Sequence, residues 1–168
     1  MPQRDASRGV KVILHIIFLL SGIATVFIGQ VLPVLAKHFS LSDLQVSYFF
    51  PAQFAGSLVG TFLTSRFAKR HDHFGATVLG TVLMAAGILV MNVDVFAVCL
   101  VGFAVNGVGI GLTLPSINML ILELSRERAG SALSVLNFCW GVGAIICKPF
   151  VDAFSTADSL GWTTYTLP

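Results

Sequence analysis

VFAVCLVGFAVNGVGIGLTLPSINMLIL, residues 95–122, runs without a single Asp, Glu, Lys or Arg. A helix rises about 1.5 Å per residue, so some 20 residues cross the roughly 30 Å hydrocarbon core of a bilayer, and this stretch is long enough to do so. Working outward, residues 12–36, 44–65, 73–93 and 129–147 share the property. A soluble core helix would explain any one stretch, but five in succession leave almost no polar sequence to cover a core. Composition agrees, because 55% hydrophobic residues, 11% charged residues and a mean hydropathy of +0.87 exceed what an ordinary soluble domain carries. Without water the backbone must satisfy its own hydrogen bonds, and uninterrupted helices do that. The chain reads as an all-α membrane protein with spans at about 12–36, 44–65, 73–93, 95–122 and 129–150, forming one five-helix bundle over 12–154.

Residues 1–11 form a basic leading segment, with Arg4, Arg8 and Lys11 ahead of the first span. That span is much longer than the roughly 7–15 residues of a secretion-signal core, so it reads as a retained anchor. With a cytoplasmic N-terminus, alternation puts Arg4, Arg8, Lys11, Arg66, Lys69, Arg70, Arg126 and Arg128 inside and only Lys37 and Lys148 outside, the bias of the positive-inside rule. The expectation is a multi-pass protein of a plasma or inner membrane. Connections at Lys37–Asp43, Arg66–Asp72, around Asp94 and at Glu123–Arg128 leave no room for a soluble domain. Residues 155–168 turn polar and rich in Ser and Thr, and read equally as a truncation or a deliberate stop.

Several function classes fall away. A net charge of +2 with no basic run does not suit nucleic acid. Cys99, Cys139 and Cys147 lie in apolar helix with no His or carboxylate at ligand spacing, so neither a metal nor another cofactor is expected. Gly107–Val–Gly109–Ile–Gly111 has no Lys-Ser/Thr after it and no strand before it, unlike a nucleotide-binding loop. No nucleophile, base and orienting residue fall at plausible spacing, so the chain does not read as an enzyme. His71 and His73, which flank Asp72, read either as a pH sensor or as a solvated loop. No carboxylate occurs inside any span: Asp43, Asp72, Asp94, Glu123, Glu127 and Asp152 sit at ends or connections, so no proton-relay group is offered. Lys148, about 28 Å along the helix from Ala129, reaches the outer interface where its stem can snorkel, and Pro149 is expected to kink or end that helix.

Polar side chains at mid-depth then stand out. Counting to the middle of each span gives Gln53 in the second, Asn106 in the fourth and Asn137 in the fifth, with Trp140 one turn away and Ser21 and Thr25 near the centre of the first. The third span offers only Val82, Leu83, Met84, Ala85 and Ala86 there, the mark of a peripheral, lipid-facing helix. An amide in hydrocarbon is costly unless paired, so the three amides are either glue between helices or the lining of a polar solute path. Gln53, Asn106, Asn137, Trp140 and Thr25 are the path candidates. Gly56 with Gly60 and Gly107 with Gly111 each lie four apart on one face, where a neighbouring backbone can approach. A weak echo relates Gly29–Pro33 to Gly111–Pro115, each followed by a polar connection and a glycine-containing span, as in a chain built from two three-helix units.

With spans and connections in place, the chain from about Lys11 to Trp162 resembles the N-terminal half of a major facilitator superfamily transporter. The resemblance rests on the loop Gly60–Thr–Phe–Leu–Thr–Ser65–Arg66–Phe–Ala68–Lys69–Arg70, similar with one residue of slippage to the family's Gly-x-x-x-Asp-Arg-x-Gly-Arg-Arg. Here Ser65 replaces the acid that latches the cytoplasmic side and Ala68 replaces the second glycine, while Arg66, Lys69 and Arg70 keep the basic part and can meet anionic lipid heads. The fourth span resembles the family's glycine-rich segment, with Phe103 where proton-coupled members often place Arg. Ser131–Gly143 with Pro149 looks most like the fucose and glucose/galactose sugar branch. The resemblance implies five of the six helices of a half-bundle, the sixth missing after Gly161–Trp162. It further implies a small-molecule solute bound between two rocking halves, and a missing C-terminal half-bundle as partner within the lipid bilayer. The rival expectation is a non-transporting truncated or regulatory subunit that packs through Gly56/Gly60 and Gly107/Gly111 against another bundle.

Overall fold

The computed structural model describes residues 2–91, 93 and 95–154, with side chains from Arg8 to Ala153 apart from 92 and 94; the polar tail 155–168 lies outside the described residues. The elements are α1 (Pro2–His38), a short α2 (Asp43–Ser47), α3 (Phe49–Ala68), α4 (His73–Val90), α5 (Phe96–Leu124) and α6 (Ala129–Phe154), with a single 3-10 turn at Arg126–Arg128 before α6. Stretches Arg8–His38, His73–Val90, Phe96–Leu124 and Arg126–Ala153 are long and apolar enough to cross a membrane. α3 has 20 residues but carries Gln53, Ser57, Thr61, Thr64, Ser65 and Arg66, and is not among these four stretches.

Several boundaries differ from those read off the charges. α1 begins at Pro2, so most of the leading segment continues the first span as helix. The stretch 44–65 divides in two, because Pro51 has no N–H to give the Ser47 carbonyl; the helix restarts at Phe49 and runs on to Ala68. α4 ends at Val90, short of residue 93, and α5 runs to Leu124. Pro149 does not end α6, which continues through it to Phe154, and α1 and α5 likewise pass through Pro33 and Pro115. One missing bond is tolerated where neighbouring helices hold the backbone in line.

Two corners share one device. After α1, Ser40 takes a left-handed φ of 50°, with its N–H bonded to the Lys37 carbonyl and that of Leu41 to Ala36. After α3, His71 at φ 54° repeats this, with bonds from His71 to Ala68 and from Asp72 to Phe67. These paired bonds satisfy the open carbonyls of a helix end. The next helices are then capped: Ser42 and Gln45 bond reciprocally ahead of α2, and the Asp72 carboxylate accepts the Gly75 N–H at 2.8 Å ahead of α4.

α5 is the hub. A methyl built on Gly56 or Gly60 of α3 would overlap the Ala104 or Val108 carbonyl of α5, and one built on Gly107 or Gly111 of α5 would overlap the Gln53 or Ser57 carbonyl of α3. The two glycine pairs named in the sequence thus face each other within the chain, which leaves neither free to hold a second bundle. On its other side α5 sets Gly102 and Gly109 against Gly87 and Gly80 of α4 in antiparallel register. α6 lies parallel to α1, where Gly143 meets the Leu19 carbonyl and Gly22 meets that of Trp140. Helices can approach this closely only where no Cβ intervenes.

Side chains close the remaining seams. Phe49 stands edge-on to Phe103 and Phe96, with centroids 5.1 and 5.6 Å apart. Around it Phe27, Val31, Leu35, Cys99 and Val151 form one buried cluster; Leu14, Phe18, Ile117, Ile121 and Leu136 form another at the opposite end. These registers run α1, α4 and α6 one way and α3 and α5 the other. Arg66, Lys69, Arg70, Arg126 and Arg128 therefore share the end where α1 carries Arg8 and Lys11, opposite Lys37 and Lys148. α4, packed chiefly on α5, exposes Val78, Leu79, Val82 and Leu89.

Gly107→Ala should cost about 1–3 kcal/mol in detergent unfolding, the usual cost of forcing an atom into a filled seam. Gly141→Ala, whose added methyl meets nothing within 4 Å, should be neutral or stabilising by up to about 1 kcal/mol. Equal effects from the two would contradict the seam. A separate melt tests the corner: His71→Gly should stabilise by about 0.5–1 kcal/mol, since a left-handed φ costs glycine nothing.

Candidate functional site

Between α1 and α3 a cleft of about 340 Å³ is lined by Thr25, Val26, Ile28, Gly29, Gln30, Phe50, Gln53, Phe54 and Ser57, with Ile110 of α5 as its floor. That volume lies at the small end of the roughly 300–1,000 Å³ typical of small-molecule pockets. Its polar lining is two hydroxyls and two amides, with no charged side chain. Phe50 and Phe54, 40% and 65% exposed, flank the opening with apolar faces.

Two of the four polar groups are held, Thr25 by its own helix and Gln53 by the hub. Thr25 donates its hydroxyl to the Ser21 carbonyl at 2.7 Å, and Ser21 donates to Ile17 at 2.8 Å, so the oxygen of Thr25 keeps only its accepting capacity. Gln53 is 6% exposed and donates from Nε2 to Asn106 Oδ1 at 3.1 Å; Asn106, 1% exposed, donates from Nδ2 to the Met84 carbonyl at 3.3 Å. The mid-depth amides of the second and fourth spans thus form one relay across α3, α5 and α4. Asn106 lies in that seam and not on the cleft wall.

The other candidates fall elsewhere. Asn137 is exposed on α6, its amide bonded to the Leu133 carbonyl at 2.9 Å, on a side of the helix shared with Ser134, Gly141 and Lys148. Trp140 packs in the apolar seam of α1, α5 and α6, and its buried Nε1 has no partner among the described residues. Ser65 donates to the Phe62 carbonyl at 2.6 Å, while Thr64 beside it bonds both Gly60 and Gly111 carbonyls at 3.1 Å, tying α3 to α5. His73 is buried with Nε2 3.9 Å from Glu123, whereas His71 is exposed. Lys148 pairs with Asp152 at 2.8 Å on the exposed face of α6, a contact worth at most a few tenths of a kcal/mol.

Gln30 and Ser57 were not legible as site residues from the sequence. Gln30 lies near the end of its span, well away from mid-depth, and Ser57 is an ordinary small residue of a membrane helix. A search by helix face, four positions beyond Gln53, would have found Ser57; Gln30, five beyond Thr25, lies about 140° round α1 from it and needed the position of α3 to be recognised. A second cavity of about 340 Å³, between α1 and α4, is apolar apart from Thr81, whose hydroxyl is engaged with the Thr77 carbonyl at 2.8 Å. Among the described residues no group of three His, Cys, Asp or Glu could hold a metal ion.

A profile described as Major Facilitator Superfamily matches residues 14–167. Among curated proteins, "Bypass of stop codon protein 6" of Saccharomyces cerevisiae is 26% identical over 146 residues, covering 83% of this chain and 28% of that protein. "Sodium-dependent glucose transporter 1" of Rattus norvegicus is 26% identical over 136 residues, covering 80% of this chain and 28% of its own length. No solved structure matches significantly. The chain spans little more than a quarter of the length of these relatives. Apolar crossing helices packed on a glycine-rich hub, together with a match over nearly the whole sequence, establish an integral, multi-pass membrane protein that belongs to the Major Facilitator Superfamily.

Proposed function

We propose that this chain is the N-terminal part of a secondary transporter that moves a small, neutral, polar solute of the sugar class by alternating access, with the α1–α3 cleft as its share of the solute path. The observation that carries this reading is the cleft's chemistry: hydroxyls and amides beside apolar aromatic faces, without charge, suit a polyhydroxylated molecule and not an ion. Family membership supports transport, and the glucose transporter among the relatives points to the same solute class.

In this reading α3 is the fifth crossing. Its 20 residues span about 30 Å, and the polar groups of Gln53 and Thr64 are bonded to α5, so the helix can enter hydrocarbon despite its composition. The end bearing Arg66, Lys69, Arg70, Arg126 and Arg128 faces the cytoplasm together with the N-terminus. A second half-bundle supplies the opposite wall, and the exposed Asn137 side of α6 turns toward it.

Uptake by vesicles holding the complete reading frame, scanned across neutral sugars with and without ion gradients, tests the proposal. Saturable uptake of a sugar is expected, with Gln30→Leu raising KM roughly 3- to 10-fold, the equivalent of one neutral hydrogen bond. Uptake confined to charged solutes would refute it. Asn137→Leu is expected to abolish uptake while leaving membrane insertion intact; unchanged uptake would remove Asn137 from the path.

A further inference from the structure

The amide relay has a direction, and that direction says how the cleft recognises its solute. A main-chain carbonyl can only accept, so the Met84 carbonyl must face the Asn106 NH2, and this turns Asn106 Oδ1 toward α3. Oδ1 in turn can only accept, so Gln53 must offer it Nε2–H. The Gln53 carbonyl oxygen is left pointing away from the hub, with no hydrogen bond from any described residue, on a side chain that lines the cleft. Thr25 is committed in the same sense, because its hydroxyl hydrogen is engaged by the Ser21 carbonyl. The oxygens of Gln53 and Thr25, the two polar groups the protein holds rigidly at this cleft, are therefore left to accept.

We infer that Asn106 is a positioning residue that fixes Gln53 with its carbonyl oxygen toward the cleft, so that Gln53 and Thr25 recognise solute hydroxyls as hydrogen-bond donors. Gln30 and Ser57, whose side chains make no hydrogen bond to described residues, can adapt as donor or acceptor; if Gln53 turned over, its oxygen would face Asn106 Oδ1, and turning Asn106 to match would set that oxygen against the Met84 carbonyl. The close approach that permits the relay is itself built in: a methyl on Gly87 would overlap the Asn106 backbone, so only glycine lets α4 bring its carbonyl within reach. This inference rests on the transport reading above.

The test uses the complete transporter and a sugar that it takes up, compared with the deoxy and deoxyfluoro analogues at each hydroxyl. Fluorine accepts weakly and cannot donate. Gln53→Leu first identifies the hydroxyl that Gln53 meets, as the position whose deoxy penalty disappears in the variant. At that position the wild type should treat the fluoro analogue like the deoxy one, each raising KM roughly 3- to 10-fold with little change in kcat. Asn106→Leu, which frees Gln53 to present its NH2, should restore tolerance of fluorine there; a purely structural role would lower the amount of folded protein without changing the ratio of fluoro to parent KM. A fluoro analogue bound as well as the parent sugar by the wild type would overturn the acceptor assignment and leave transport standing, as would a Gln53→Leu variant that alters no hydroxyl's penalty. Failure of every sugar to be taken up would instead overturn the sugar reading and this inference with it.

Discussion

Close backbone contact along α5 is the constraint from which the rest of the bundle follows. In a bilayer there is little hydrophobic gain in burying one apolar helix against another, so association depends on tight packing and on hydrogen bonds between helices. α5 supplies both on two faces. Gly107 and Gly111 admit α3 in parallel, Gly102 and Gly109 admit α4 antiparallel, and Asn106 lies between the two faces and bonds to both neighbours. A methyl in place of any of these glycines would press on the neighbouring helix.

The same packing shapes the cleft. α1 is bound to α6 through Gly22 and Gly143, and it meets α5 mainly through side chains, so it stands further from α3 than α5 does. The gap left between α1 and α3 is where polar groups collect. Of these, Thr25 and Gln53 are held from behind by hydrogen bonds to α1 and α5. Two parallel pairs, α3 with α5 and α1 with α6, each closed by glycine on both helices, also give the sequence echo between the first and fourth spans a structural counterpart.

The resemblance to transporters was carried by a loop in which the acidic position was altered, and the structure gives that loop local roles. Thr64 ties α3 to α5, Ser65 bonds its own helix, and Asp72 caps α4. The charged residues that remain, Arg66, Lys69 and Arg70, are exposed at the end where the other basic residues gather. None of these roles needs the missing acid.

Absence of charge over long stretches determined, from the sequence alone, that the chain is helical and membrane-embedded, because hydrocarbon tolerates few other arrangements of backbone and almost no unpaired charge. Glycines four apart likewise announced close helix contacts. Only the tertiary structure decided which glycine met which, that Gln53 and Asn106 serve each other, that Asn137 lies apart from them, and that Gln30 and Ser57 share a cleft with Thr25. Depth along a helix can be counted from sequence, but rotation about its axis is set by neighbouring helices, and a side chain's partner depends on that rotation. Pro149 and Pro51 show the same limit: one missing N–H is carried through α6, yet the second span divides just ahead of Pro51.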